Sequence, residues 1–140
     1  MAKQKSSLRQ MGRWFMTHWL LWVISTLVVV LRIPIFYEPY WYGDEGIYLT
    51  VGQAMARGSE LYAEIVDHKT PIIYWIAEMA FTLYRLKLVL LFASLASVWV
   101  YYFLSRKWFG SIWVSAIVTG AFALATTLPR YEGHIANGEL

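Results

Sequence analysis

The chain has 140 residues, of which 59% are apolar, 18% aromatic and 15% charged, and this apolar share exceeds the roughly 45–50% of soluble domains. The net charge of +3 does not indicate a nucleic-acid partner, because the basic residues lie beside apolar runs instead of forming a stripe with interleaved aromatic residues. The absence of cysteine excludes disulfides, thiolate zinc sites and a thiol nucleophile. The high apolar share predicts an all-α integral membrane protein in contact with the lipid bilayer.

Residues 1–13 set the predicted orientation, because they carry four basic side chains and no acidic one. The four are Lys3, Lys5, Arg9 and Arg13. The positive-inside rule therefore places the N-terminus in the cytoplasm and the chain in the cell membrane. The uncharged run 14–31 is longer than a signal-peptide core and ends without a small-x-small cleavage pattern, so we predict an uncleaved transmembrane signal anchor.

Residues 32–87 form the predicted first external loop. The loop opens with the aromatic cluster 36–42, which is typical of a membrane interface. A helix is predicted over 45–57, with Asp44 as its cap, Gly58 as its stop and apolar residues at helical spacing between them. Because the apolar residues share one face, we expect this juxtamembrane helix to be amphipathic and to lie on the membrane.

The short apolar segment 71–84 decides between two topologies. A run of this length is more often interfacial or re-entrant than spanning, and if it stays outside the chain has about three transmembrane helices. The remaining segments are then a span at 88–104, a cytoplasmic turn at 105–110, a span at 111–128 and the start of a second external loop at 129–140. If the segment crosses, there are four spans and the C-terminus is cytoplasmic. Arg85 and Lys87 favour the second version, whereas Arg106 and Lys107 oppose it.

The loop and the segments after it contain an ordered series of motifs. These are the pair Asp44-Glu45, the box Asp67-His68-Lys69-Thr70-Pro71 followed by Tyr74-Trp75, the basic-aromatic-glycine turn 106–110 and the end Ala136-Asn137-Gly138-Glu139. Their order and spacing over residues 30–140 resemble the GT-C glycosyltransferases, in the group that contains protein O-mannosyltransferases and the lipid A aminoarabinose transferase. Thr70 departs from that family, which usually has a proline there. The stretch between Tyr84 and Leu88 is also shorter than the family's usual connection.

The resemblance implies an inverting hexosyl- or pentosyltransferase. Such an enzyme moves a sugar from a polyprenyl-phosphate donor to an extracytoplasmic acceptor, which is a lipid, a glycan or a protein. Since family members are several times longer, we expect the chain to be the N-terminal part of the enzyme and inactive alone. The alternative, from another class, is a non-catalytic small membrane subunit or a transporter fragment.

The chemistry of this transfer requires a base and a cation. Asp44, next to the exit of the first span, is the best placed carboxylate to accept the proton of an acceptor hydroxyl, and Glu45 is the alternate. A fixed cation lowers the barrier as the departing phosphate gains negative charge. The resemblance assigns this contact to Lys69, and Arg57 is a weaker candidate.

Three further side chains complete the predicted site. The resemblance makes Glu139, in the second external loop, a supporting acid, and the three-span topology places it on the same side as Asp44. His68 and Tyr74 are candidates for substrate binding. Asp44, His68 and Glu139 could together hold a divalent metal ion, although no tight ligand spacing identifies one.

Simpler interpretations compete with these roles. An aspartate ahead of a helix is more often a cap than a base, which applies to Asp44. Lys69 alone would more often be an interfacial lysine with its stem on apolar surface than a phosphate ligand. His18 lies within the first apolar run and is expected to pack and hydrogen-bond toward a neighbouring helix.

Overall fold

The computed structural model describes residues 16–38 and 43–128, and the regular structure within these ranges is helical. The helices, in chain order, are α1 (Trp19–Arg32), a 3₁₀ turn (Pro34–Tyr37), α2 (Gly43–Met55), α3 (Pro71–Ala80), α4 (Leu83–Phe109) and α5 (Ile112–Ala125). The all-α fold predicted from the sequence is confirmed for these residues. They form two packed units, a bundle of α1, α4 and α5 and a hairpin of α2 and α3.

Helices α1 and α4 of the bundle run antiparallel. The Lys87 ammonium, near the start of α4, donates hydrogen bonds to the carbonyls of Ile35 at 2.8 Å and Glu38 at 2.9 Å, just after α1 ends. At the other end, His18 Nδ1 lies 3.4 Å from the hydroxyl of Tyr102, as expected for a histidine that packs toward a neighbouring helix. We call the end that carries Lys87 the loop end and the end that carries His18 the basic end.

Helix α5 returns alongside α4 and runs parallel to α1. Gly110 adopts a left-handed conformation, with φ of 66°, which ends α4, and the hydroxyl of Ser111 caps the amide of Val114. At the loop end, Arg32 of α1 donates to the carbonyl of Thr126 at 3.0 Å. The bundle is therefore up-down-up, with both α1 and α5 ending at the loop end.

Two of the described helical segments are long and apolar enough to cross a membrane. They are Trp19–Tyr37, with a mean hydropathy of 2.2, and Leu83–Phe109, with 1.9. Only 33% and 17% of these apolar windows are buried, whereas the core helix of a soluble protein would be mostly covered. The third apolar helix, Ile112–Ala125, is shorter.

The helix bounds differ from the predicted segments mainly in α4. This helix starts five residues before the predicted span 88–104 and ends five residues after it, so that Arg106 and Lys107 lie in its last turn instead of in a turn between spans. A hydropathy pattern stops at charged side chains, but backbone hydrogen bonds continue through them. The connection to α5 is therefore only Gly110 and Ser111.

The hairpin is held together by a close helix crossing. A side chain at Gly52 of α2 would place its Cβ 2.5 Å from the amide nitrogen of Glu78 and 2.6 Å from the carbonyl carbon of Ala77. Only glycine allows the two backbones to approach so closely. Part of the apolar face of α2, which the sequence predicted to lie on a membrane, thus packs in the hairpin core with α3, with Tyr48 and Val51 at 1% and 6% exposure, whereas Ile47 of that face is 49% exposed.

The hairpin leaves the bundle at the loop end and returns there. Helix α3 has 10 residues, about 15 Å at 1.5 Å per residue, and ends at Phe81, which is left-handed with φ of 61°. The amide of Gln53 donates to the Phe81 carbonyl at 2.9 Å, and Thr82 caps the start of α4. The segment 71–84 is therefore a short helix and a turn beside the bundle.

Candidate functional site

A small polar cavity of about 160 Å³ lies where the start of α2 meets the loop that leads into α3. The side chains around it combine carboxylates, a cation and a tyrosine. They are Asp44, Ile47, Tyr48, Asp67, His68 and Lys69. Three of the residues proposed from the sequence, Asp44, His68 and Lys69, therefore meet at one site.

Asp44 reaches the cavity from the first turn of α2. The sequence predicted it as the residue before the helix, but the helix already includes Gly43. Tyr48 lies one turn further along, and its hydroxyl donates to Asp44 Oδ2 at 3.3 Å. The Tyr48 ring is itself fixed edge-to-face against Tyr74, with centroids 5.8 Å apart. The packed hairpin core thus orients the Asp44 carboxylate.

Asp67 faces the cavity from the opposite loop and is strongly held. Its Oδ1 accepts from the backbone amide of His68 at 2.7 Å and lies 3.0 Å from His68 Nδ1. The buried Tyr74 hydroxyl makes no hydrogen bond of normal geometry to a described residue. It nevertheless lies near the Asp67 carboxylate and stabilises its ionised form. This hydroxyl, followed by the His68 contacts, lowers the pKa of Asp67, so the side chain is ionised at neutral pH.

Tyr74 supports this arrangement from behind the cavity and does not line it. Its side chain is fully buried, at 0% exposure. Burial, together with the neighbouring Asp67 carboxylate, raises the pKa of Tyr74, so the phenol stays protonated and can favour a negative charge beside it. The sequence proposed Tyr74 for substrate binding, whereas its contacts are those of a residue that positions Asp67 and Tyr48.

Lys69 lines the cavity at the end of a constrained loop. Its backbone carbonyl accepts a hydrogen bond from the hydroxyl of Tyr62, a residue with a left-handed backbone at φ of 67°. Pro71 then starts α3 with its fixed φ, which suits the first position of a helix. The backbone of Lys69 is therefore fixed on both sides, and its side chain is half-buried.

The other predicted site residues lie elsewhere. Glu45 is fully buried because consecutive helix residues point about 100° apart, so it does not line the cavity with Asp44. Arg57 is exposed beyond the end of α2, about 20 Å along the helix direction from Asp44 at 1.5 Å per residue. Glu139 lies outside the described residues, and its predicted role is untested.

The possible metal site also stays a prediction. Within residues 16–38 and 43–128, no group of three His, Asp or Glu side chains is arranged to hold a metal ion. The predicted trio of Asp44, His68 and Glu139 includes a residue outside these ranges. The two described members do line the same cavity.

Two residues of the site were not predicted, Asp67 and Tyr48. The spacing of four between Asp44 and Tyr48 places both on one helix face, so a search for such pairs would have found the tyrosine. Asp67 offered no comparable signal, because its environment depends on Tyr74 and on a backbone turn. Together the cavity presents two carboxylates and one ammonium group, which suit proton acceptance and anion binding respectively.

No family model, curated protein or solved structure matches this chain.

Proposed function

We propose that the chain is the N-terminal part of a membrane glycosyltransferase that moves a sugar from a polyprenyl-phosphate donor to an extracytoplasmic acceptor. The observation that carries the proposal is the cavity in which Asp44, Asp67 and Lys69 meet at the loop end of an apolar bundle. A lipid-linked phosphate keeps its tail in the bilayer, so its reacting carbon lies close to the membrane surface. Catalytic groups for such a donor must lie at the end of the spans.

The proposed topology has three spans, α1, α4 and α5, with the loop end outside the cytoplasm. Arg106 and Lys107 lie at the basic end of α4, the end at which α1 begins. A basic cluster at this end fits a cytoplasmic location under the positive-inside rule, in agreement with the orientation predicted from the sequence of residues 1–13. Lys87, which favoured a fourth span in the sequence, is buried and bonded to two carbonyls, so it is not a free cytoplasmic charge.

In the proposed reaction, Asp44 accepts the proton of the acceptor hydroxyl while the acceptor oxygen attacks the anomeric carbon. The bond between that carbon and the phosphate oxygen breaks, the electron pair leaves with the phosphate, and configuration inverts. Lys69 stabilises the charge that develops on the phosphate. The acceptor thus gains the glycosidic bond, and the polyprenyl phosphate is released.

The different hydrogen bonding of the two carboxylates supports Asp44 as the base. Asp67 has two close donors on one oxygen and a lowered pKa, which makes it a poor proton acceptor. Among the described residues, Asp44 accepts one long bond of 3.3 Å, from Tyr48, which leaves further lone pairs for a substrate proton. Asp67 instead keeps a negative charge at the same cavity as Lys69. Its bond to the His68 amide also fixes the loop that carries Lys69.

The test is Asp44→Asn in the full-length protein, assayed for sugar transfer from a polyprenyl-phosphate donor in isolated membranes. Loss of a general base lowers the rate by about 10²–10⁴-fold. Thr50→Ala is the matched control, because Thr50 lies on the same helix, is exposed and donates its hydroxyl hydrogen bond to the carbonyl of Gly46, one turn back. Unchanged transfer by Asp44→Asn with normal membrane insertion removes Asp44 from the mechanism.

A non-catalytic membrane subunit is the second candidate. An open apolar groove of about 800 Å³ lies between α1 and α4, with Trp22, Trp99 and Phe103 among its lining residues. A groove of this kind suits a packed helix of another subunit. If membranes that contain the variant without both Asp44 and Lys69 transfer sugar at the wild-type rate, these two side chains are not the catalytic groups, and a non-catalytic subunit beside a separate enzyme becomes the better account.

A further inference from the structure

The open groove between α1 and α4 follows one side of each helix. On α4 its lining residues lie three and four positions apart, so they form a single stripe. They are Phe92, Leu95, Ala96, Trp99, Val100 and Phe103. From the first to the last of these positions is about 16 Å at 1.5 Å per residue, which is about half of the roughly 30 Å hydrocarbon core of a bilayer. The groove therefore has the length of one leaflet.

Contacts between α1 and α4 fix the floor of the groove. Trp99 Nε1 donates to Ser25 Oγ at 3.0 Å, and Ser25 Oγ donates in turn to the carbonyl of Leu21 at 2.8 Å. The rings of Trp22 and Trp99 pack edge-to-face, with centroids 5.0 Å apart. The Ser25 hydroxyl is thus already hydrogen-bonded, and the surface around it is aromatic and aliphatic. Such a floor suits an apolar chain as its occupant.

Positive charge lies at one end of the groove. The stripe on α4 continues through Arg106 and Lys107, three and four positions after Phe103, at the basic end. Arg106 acts electrostatically on the ring of His18, which packs edge-to-face against Phe103 with centroids 5.5 Å apart. Every described Asp and Glu lies between residues 38 and 78. No described carboxylate therefore neutralises the two cations at this end.

The groove stops short of the opposite end. Phe92 lies nine positions after the first residue of α4, about 13 Å at 1.5 Å per residue. Lys87 and Arg32, the buried cations nearer the loop end, both donate to backbone carbonyls. The charged end of the groove is therefore remote from the cavity that contains Lys69, and a lipid bound there is distinct from the proposed sugar donor.

We propose that the groove holds one acyl chain of an anionic phospholipid from the cytoplasmic leaflet, with Arg106 and Lys107 at its phosphate. Guanidinium and ammonium groups both bind phosphate oxygens, and basic pockets between spans on the cytoplasmic side bind anionic headgroups. The exposed indole of Trp108 lies next to the two cations, as is common for tryptophan where a span meets the headgroups. The proposal requires α4 to cross the bilayer with its basic end in the cytoplasm, but it does not require sugar transfer.

Photolabelling of the full-length protein tests the proposal. The protein is reconstituted in phosphatidylcholine vesicles that contain a small amount of phosphatidylglycerol with a diazirine on its acyl chain, and the cross-linked residues are located by mass spectrometry. We expect cross-links at residues 22–29 of α1 and 92–103 of α4. The same diazirine on phosphatidylcholine should label these residues less, because its headgroup carries no net charge to pair with the cations.

Removal of the cations separates a headgroup site from simple contact with lipid. Arg106→Gln and Lys107→Gln should each lower the phosphatidylglycerol labelling of the groove about fivefold, the loss expected for one basic residue beside an anionic lipid. Arg85→Gln is the matched control, because Arg85 is exposed near the other end of the same helix. If one of the two variants fails to insert, the other gives the measurement. Equal labelling by the two lipids, or no loss on removing a cation, overturns the proposal.

A second pair of variants tests the place of the acyl chain. Ala96→Trp fills the groove and should abolish its labelling by phosphatidylglycerol. Ala93→Trp should leave the labelling unchanged, because Ala93 is exposed on the same helix but does not line the groove. Equal labelling in the two variants contradicts the proposed place. The absence of cross-links from the groove of the unaltered protein also overturns the proposal, because a protein helix then covers it.

Discussion

The bundle and the hairpin are stabilised in different ways. In the hairpin, α2 and α3 bury tyrosine and leucine side chains against each other and hold the polar cavity at their edge. In the bundle, only 33% and 17% of the apolar windows of α1 and α4 are buried. Some polar side chains there bond to the preceding turn of their own helix, as Ser97 does to Ala93 and Ser105 to Tyr101. The hairpin thus has a small core of its own, as a water-facing unit does. The bundle helices instead leave apolar surface that lipid or further helices would cover.

The largest effect is expected where the hairpin depends on close packing. Gly52→Ala places a methyl group within 2.6 Å of backbone atoms of α3, and overpacking of this kind costs about 1–3 kcal/mol or more. We expect faster hydrogen exchange of the α2 amides while the α4 amides stay protected. Gly120→Ala on α5 is the control, because its Cβ meets nothing within 4 Å. Equal loss of protection in α2 and α4 would show that the hairpin does not depend on this close packing separately from the bundle.

A smaller effect is expected at the joint between the two regions. Lys87→Met removes the donor to the carbonyls of Ile35 and Glu38, and each buried group left unpaired costs about 1–3 kcal/mol. We expect a lower denaturant midpoint in detergent micelles and faster proteolysis within residues 33–43. Arg85→Met is the matched control, since Arg85 is exposed on the same helix. If the two variants are equally stable, the Lys87 hydrogen bonds do not anchor the loop.

The smallest effect is a change in pH dependence inside the hairpin. The pKa of Asp67 is lowered, chiefly by Tyr74, so its contribution to stability is present above an ordinary aspartate pKa of about 3.9 and is lost as pH falls through the lower folded value. The pKa of Tyr74 is raised, so its contribution is present below about pH 10 and is lost as pH rises further.

Tyr74→Phe should therefore flatten both limbs of the stability profile. The measurement is the thermal midpoint, followed by circular dichroism, between about pH 3 and pH 11. Tyr84→Phe serves as the control, because Tyr84 is exposed. An unchanged acid limb in Tyr74→Phe would separate the Tyr74 hydroxyl from the ionisation of Asp67.

The sequence predicted local features of the hairpin better than their assembly. Helical spacing and Gly58 identified α2, and the resemblance assigned Asp44 and Lys69, which line the same cavity, to one site. The burial of Glu45 could not be predicted from the position of Asp44, because adjacent helix residues face different surroundings. That the apolar face of α2 is covered by α3 depends on the contact at Gly52, which joins residues about 25 positions apart. Long-range packing of this kind leaves no periodic signal in either segment.

The anchoring of Glu38 by Lys87 limits how far the proposed base can travel. The carbonyl of Glu38 is held at 2.9 Å by the ammonium, and Asp44 follows six positions later in the chain. A fully extended chain covers at most about 3.6 Å per residue, so Asp44 stays within a tether of about 20 Å from that anchor. In the proposed reaction, a donor in the bilayer would have to approach α4 to within this distance, since the carboxylate cannot move further towards it.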